Sequence, residues 1–213
     1  MRHYNYFFII SLLIFAQSAW GQCAFYDRRP RTEVVIETGH AVVDNSKARK
    51  DFPATTKETT MGLTVAHISH QVELTTEIKE AARQQLCMRV NLVKLIVSIP
   101  KLDVYIDKKY KPGSCQYSVI SQHEQKHVRI HQETLRSARA KLQTALDVAI
   151  RKIQPVALHP NEDPQEPTNK LLKTITQALK PTIDEIQKET DRKNQRLDTD
   201  KAYAADTRKC KKW

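Results

Sequence analysis

Beyond its first 21 residues this chain has no apolar run of the roughly 20 residues that a membrane-spanning helix needs, so further spanning helices are excluded. It contains no internal repeat, which excludes a solenoid or a propeller. None of its cysteines stands in a CxxC spacing, which argues against a cysteine-based metal site. It also lacks a compact basic cluster interleaved with aromatics. Lys and Arg are spread through residues 28–31, 108–111 and the C-terminal region, and are dense only at 208–212. The formal charge of +11 therefore reads as a solvated basic surface suited to anionic surroundings, such as a cell-envelope surface, with no specific nucleic acid.

What is present begins with export. Arg2 and His3 precede an apolar run at 7–16, followed by Gln17-Ser18-Ala19-Trp20-Gly21 with small residues at Ala19 and Gly21. A basic start, a short apolar core and a small-residue cleavage site form a secretory signal peptide. Residues 1–21 are expected to be removed, leaving a chain from Gln22 with a charge of +10, no transmembrane anchor, and a periplasmic or secreted location. An uncleaved anchor is the alternative, and Gln22 disfavours a lipid anchor on Cys23. The four cysteines, Cys23, Cys87, Cys115 and Cys210, all fall in the mature part and suit an oxidising compartment. Of three possible pairings, Cys87–Cys115 with Cys23–Cys210 is favoured, tying a strand to a helix start and one end of the chain to the other.

Periodicity predicts an α+β fold: a small β-sheet, then a long helix carrying the candidate site, then a second long C-terminal helix. Residues 32–37 are β-rich. Residues 64–74 alternate, with Ala66, Ile68, His70, Val72 and Leu74 on one face, as a half-buried strand would. Residues 77–86 read as a short helix or turn. Residues 88–99 and 102–106 read as strands bent or turned at Pro100-Lys101. After the turn Pro112-Gly113-Ser114, one helix is expected over about 115–153, uninterrupted by Gly or Pro. Residues 22–154 form the sheet and motif helix, 155–167 a Pro-rich linker, and 168–213 a C-terminal helical segment packed on the same domain. That segment's helix reaches about residue 207, with a kink or break at Pro181.

The first long helix carries His123-Glu124-Gln125-Lys126-His127. Two His one turn apart project from the same face and are able to share one metal ion. The residue after the first His can reach a metal-bound water as general base. A shuffled chain of this composition would hold the pattern only about 0.02 times. On the helical wheel Glu124, His127 and His131 fall on the stripe that continues as Leu135, Leu142 and Leu146, with His123 at its edge. Polar groups on an inward face destabilise unless they are partnered, and a metal is the simplest partner. A solvated helix turn is the competing reading. His40 and His159 read as surface residues, and His70 as a satisfied core histidine.

His-Glu-x-x-His on a helix resembles the zincin zinc metallopeptidases. More narrowly, the apolar strand ending in Ile99-Pro100 followed by His123-Glu124-Gln125-Lys126-His127 resembles a family of exported bacterial proteins predicted to be zinc proteases. The resemblance covers roughly residues 60 to 210, and only the zinc motif is specific. That family's Tyr-x-x-x-Thr-x-His stretch is matched by Tyr203 and Thr207, but Lys209 stands where its His would be. The resemblance implies zinc as cofactor and a polypeptide substrate, with Glu124 as base and Tyr203 as a donor to the developing oxyanion. It leaves the third metal ligand open. His131 lies about 12 Å of helical rise from His123, too far for three stacked His to close on one ion unless the helix bends. Glu185 or Glu189, presented from a second helix as in gluzincins, ranks above His131, with Asp147 behind.

Two functions remain open at this point. One is an exported zinc-dependent peptidase. The other is a non-catalytic basic cell-envelope binding protein with a structural zinc site or no metal. Glu124 separates them, because a structural site is closed by four protein ligands and needs no base beside its first His.

Overall fold

Stretches rich in β-branched residues form three long strands, each of which bends once. In the computed structural model, which describes Cys23, 29–53, 61–81 and 84–213, β1 (Arg31–Thr38) runs through Gly39-His40 into β2 (Ala41–Asp44). β3 (Gly62–Ala66) runs through His67-Ile68 into β4 (Ser69–Glu80), and β5 (Leu86–Ile99) through Pro100-Lys101 into β6 (Leu102–Ile106). The expected signal peptide lies outside the described residues. One sheet has the order β1-β5-β4 and the other β2-β6-β3, parallel between the first two strands and antiparallel between the last two in each. The two small mixed sheets thus share three chains and one bend line.

The bend has local causes. Pro100 offers no N–H to a ladder. A Cβ on Gly39 would stand 2.7 Å from the carbonyl oxygen of Ile99, where no side chain fits. The Gly39 N–H instead bonds that oxygen at 3.0 Å. The strand expected over 64–74 is accordingly two strands, separated at the bend. The segment at 77–86, expected as a helix or turn, is strand as far as Glu80. There Ile78 pairs with Met88, and Glu77 with Arg89, whose guanidinium bonds the Glu77 carboxylate at 2.6 and 2.9 Å. These cross-strand partners override the weak local preference. His70, expected in the core, is exposed, being one residue inside the start of an outer strand.

The helices follow. Ser114 caps α1 (Cys115–Ser137), accepting from the Tyr117 N–H at 3.1 Å. The single helix expected over 115–153 is broken at Ala138, from which α2 (Arg139–Ile150) starts. No Gly or Pro marks that break. The Ser137 hydroxyl bonds the Thr134 carbonyl at 2.9 Å, a back-bond of the kind that bends helices. Within the expected linker, β7 (Val156–Leu158) pairs with β5. α3 (Gln165–Leu197) then continues through Pro181, which is exposed while Leu179 and Ile183 beside it are buried. It stops at Asp198, and Thr199 caps α4 (Asp200–Thr207) by accepting from the Ala202 N–H at 3.2 Å.

Val93, Leu95, Ile99, Leu102 and Ile106 of the sheets meet Leu135, Leu142, Leu146, Ile175 and Leu179 of the helices in one core. Each such fully buried side chain contributes about 1.5–3 kcal/mol. α1 packs on β3 and β6, and α3 packs on α1, α2 and β4. α3 runs antiparallel to α1 and α2. Asn194 lies beside His127, Lys193 beside Thr134 and Glu185 beside Lys141. Among the described residues no helix is long and apolar enough to cross a membrane.

The disulfides correct the expected pairing. They are Cys23–Cys87 and Cys115–Cys210, each with Cα atoms 5.9 Å apart. α4 folds back across the start of α1, which carries Cys210 to Cys115. Non-reducing peptide mapping is expected to recover these two bridges and no free thiol. Removing Cys115–Cys210 by Cys115→Ser with Cys210→Ser should cost about 2–4 kcal/mol of stability in denaturant melts. Recovery of a Cys87–Cys115 peptide would contradict this topology.

Candidate metal centre

The helical period brings His123 and His127 together, as the motif predicts. Both lie on the buried face of α1, with their Nε2 atoms 3.2 Å apart. The third member comes from the end of α3. Because α3 stops at Asp198, the Asp198 carboxylate turns onto the two rings, with Oδ1 at 3.1 Å from His123 Nε2 and 3.0 Å from His127 Nε2. The ligand-type atoms of His123, His127 and Asp198 all lie within 4.8 Å of one another.

The opposite ring nitrogens are also held. His123 Nδ1–H donates to Asp206 Oδ2 at 2.9 Å, and His127 Nδ1–H donates to Asn194 Oδ1 at 3.0 Å. With their hydrogens on these outer nitrogens, the rings each have a lone pair left on Nε2. Two imidazole lone pairs and a carboxylate oxygen then converge on one point, an arrangement that repels unless a cation occupies it. Bonds of about 2.0–2.1 Å to a tetrahedral zinc would set such donors about 3.3 Å apart, close to the observed 3.0–3.2 Å. Outer hydrogen bonds of this kind orient ligand histidines and raise their basicity. Two imidazoles and a carboxylate also suit iron, so the donor set does not name the metal by itself.

The charges agree. Burial pulls the pKa of both histidines down, but for His123 the Asp198 and Asp206 carboxylates, and for His127 Asp198 and Asn194, outweigh it, and both are raised. Burial pushes the Asp198 carboxyl up, yet its bonds to His123, His127 and Tyr203 hold it well below the carboxylate range. Asp206 is lowered as well, Lys209 and His123 overcoming its burial. The raised histidines and lowered carboxylates all favour positive charge at this point.

Glu124 is a third kind of group. It is 3% exposed, and its Oε2 accepts from the Thr64 hydroxyl at 2.8 Å. Burial raises its pKa against the opposing pull of His127 and Thr64. β3 presses directly on it. A Cβ on Gly62 would lie 2.6 Å from Glu124 Oε1 and 2.8 Å from its Cγ, so only glycine allows the strand this close. Glu124 and His123 line a small cleft together with Met61, Val119, Tyr203 and Trp213.

The other candidates lie elsewhere. Glu185 is ion-paired with Lys141, and Glu189 with Lys193 at 2.8 Å. The antiparallel register explains this: residues 194–198 face the motif, and Glu189 lies about 13 Å of helical rise from Asp198. Asp147 is occupied by Thr32 at 2.7 Å and Gln143 at 3.0 Å. His131 is buried one turn beyond His127, and its Nε2 accepts from Asn194 Nδ2 at 3.1 Å. The Tyr203 ring stacks on His123 at 5.1 Å, and its hydroxyl donates to Asp198 Oδ1 at 2.9 Å. Lys209, where the family pattern has His, donates to Asp206 Oδ1 at 2.5 Å. His40 and His159 are exposed. Asp198, Asn194 and Asp206 were missed. One signal existed for Asp198: Thr199 followed by Asp200 is a cap sequence inside what otherwise reads as one helix.

The purified protein is expected to bind about one metal ion per chain, and Asp198→Ala should abolish that stoichiometry, as should His123→Ala. Glu185→Ala and Glu189→Ala should leave metal content unchanged by elemental analysis. Loss of metal in either Glu variant with retention in Asp198→Ala would reverse the assignment.

His131 gives a pH signature. Burial, then the neighbouring His127, lowers its pKa from 6.5 to about 4. As pH falls through that window the unfolded chain takes up a proton that the folded chain refuses, so stability declines, by roughly 3 kcal/mol at most. His123 and His127 act oppositely in the metal-free protein. Their raised pKa values add stability as pH falls toward 6.5. Denaturant melts of metal-free protein should therefore peak near pH 6.5. His131→Phe should flatten the acid limb.

No family model, curated protein or solved structure matches the chain. In their place stands a group of buried His123 and His127 with half-buried Asp198, able to hold a metal ion, and the protected Glu124 carboxylate beside it.

Proposed function

We propose that the protein is an exported zinc-dependent hydrolase that cleaves polypeptides, with Glu124 as general base. The observation that carries this reading is Glu124 itself: a desolvated carboxyl of raised pKa, fixed by Thr64 and Gly62, adjacent to the three-donor group. A general base works best when its pKa approaches the operating pH, and burial moves Glu124 that way. Dioxygen chemistry at a two-His, one-carboxylate iron site has no need of such a group, which favours zinc. The two disulfides fit an oxidising compartment, periplasmic or extracellular.

Zinc, when bound, supplies a Lewis acid and lowers the pKa of coordinated water. Every other task falls to the chain. His123, His127 and Asp198 hold the ion, and Asp206 and Asn194 hold the two rings. Glu124 takes a proton from water and returns it to the leaving amine. Tyr203 donates to Asp198, so orienting that carboxylate is its first task. To serve a developing oxyanion, its hydroxyl would exchange that bond for the substrate oxygen. β3 is an outer strand of its sheet and carries Gly62 and Thr64 against Glu124, so an extended substrate paired along it would pass beside the base. The net positive charge favours work near anionic cell-envelope surfaces.

Glu124→Gln keeps the side chain's shape and removes its basicity. The variant should fold, bind zinc like the parent, and lose cleavage of an unstructured protein such as casein by about 10²–10⁴-fold. Equal cleavage by parent and variant would remove Glu124 from the chemistry. Iron rather than zinc in the purified protein would remove the hydrolytic reading.

A further inference from the structure

Along the sequence the basic residues are dispersed, but the fold brings two of their runs together. Residues 108–111 follow β6 and lead to the start of α1, and residues 208–212 follow α4. The Cys115–Cys210 bridge joins the two segments, and the Gln116 carboxamide donates to the Lys212 carbonyl. The Tyr110 ring meets the Trp213 ring edge-on at 6.0 Å, and Lys109 Nζ stands 4.7 Å from the Tyr110 centroid. All the lysines and the arginine of both runs are exposed. Neither run contains an acidic side chain, and among the described residues Lys209 alone of these cations has an ion pair, to Asp206. Like charges gathered in this way repel one another and attract an anionic ligand.

The cluster adjoins the candidate centre. Trp213 is 42% exposed, yet it lines the same small cleft as Glu124 and His123. Its indole N–H donates to the Thr207 carbonyl, which fixes the ring there. The sheet points the same way. β3 pairs antiparallel with β6, with Gly62 opposite Ile106, and the Asp107 N–H then donates to the Met61 carbonyl at 3.2 Å. The run at 108–111 therefore leaves the sheet at the Gly62 end of β3. A chain extended along the outer edge of β3, past Glu124, would run out onto these lysines. A flat lipid surface cannot use a strand edge, whereas an extended polypeptide can.

We propose that the joined basic cluster binds an acidic run of a polypeptide substrate, lying to one side of the bond to be cleaved. The inference deepens the peptidase reading and rests on it for calling the ligand a substrate, but the binding is measured without cleavage.

The test uses the chain from Gln22 onward, in which Trp213 is the one tryptophan, so its fluorescence reports on the cluster. The probe is a labelled oligoglutamate peptide followed by anisotropy, compared with an oligoserine peptide and with phosphatidylglycerol vesicles. The glutamate peptide should bind, change the Trp213 emission and dissociate as salt is raised. Lys109→Glu with Lys111→Glu, and separately Lys211→Glu with Lys212→Glu, should each weaken it at least about tenfold, because attractions become repulsions. Should a reversal pair fail to fold, Lys109→Gln with Lys111→Gln should weaken binding in the same direction. Lys152→Glu with Lys173→Glu makes the same change of charge at the far end of the helices. That pair should leave affinity within about twofold, since distant surface charges are screened. In cleavage assays a glutamate run beside the cut should raise kcat/KM at least about tenfold over serine, and both reversal pairs should close that gap.

Equal weakening by the Lys152 and Lys173 pair would reduce the effect to net charge and overturn the inference. So would failure of the glutamate peptide to bind at low salt, or vesicles that bind these lysines more tightly than the peptide does. Cleavage of acidic substrates that neither reversal pair alters would refute the inference alone. Lysine-dependent peptide binding by a protein that cleaves no polypeptide would refute the peptidase reading and leave the cluster as a site for acidic chains.

Discussion

Three lone-pair atoms brought within 3.2 Å of one another repel unless a cation stands among them, and much of this molecule is arranged to hold them there. α1 supplies two of the atoms by its period alone. The third depends on a helix that stops in the right place. If α3 ran on for another turn, residue 198 would stay on the helix cylinder. By ending at Asp198 and restarting under the Thr199 cap, the chain turns a carboxylate onto both rings and then sends α4 back to supply Asp206 and Tyr203. The Cys115–Cys210 bridge fastens that return to the start of the motif helix. The capping, the helix break and the disulfide all act on one small cluster.

The difference between what could and could not be read from the residues follows the same line. His123, Glu124 and His127 sit within five residues, where the helix repeat converts spacing directly into geometry. The α+β class was legible too, because alternation and helical stripes are local patterns. Asp198, Asn194 and Asp206 lie 63 or more positions away from their histidine partners. Their placement depends on the antiparallel register of α3 on α1, which is decided by packing of residues such as Ile175, Leu179 and Ile186 in the core. Glu189 carried the expected chemistry on the expected helix, and missed the site by register alone.

The cysteines and the bend teach the same lesson about distance. Nothing in the positions of Cys23, Cys87, Cys115 and Cys210 selects one pairing of three; the return of α4 does. The bend shared by three strands was visible at Pro100, yet its counterpart at Gly39 mattered only because the Ile99 carbonyl approaches to where a Cβ would be. The alternation at 64–74 reads as one strand because the period of two survives the bend: Ala66, Ile68, Val72 and Leu74 all pack against the core, and only His70 is exposed.

Glu124 joins the two halves of the structure. Its helix provides the position after the first histidine, but the burial that raises its pKa comes in part from the sheet. Gly62 lets β3 approach within van der Waals reach, and Thr64 bonds one carboxylate oxygen. A larger residue at 62 would hold the strand off, admit water and return the carboxyl toward its ordinary acidity, because desolvation is the largest cause of its raised pKa. The bent sheet is therefore part of the site. It carries an outer strand to the motif helix, excludes solvent from one carboxylate, and leaves Glu124 and His123 lining one small cleft.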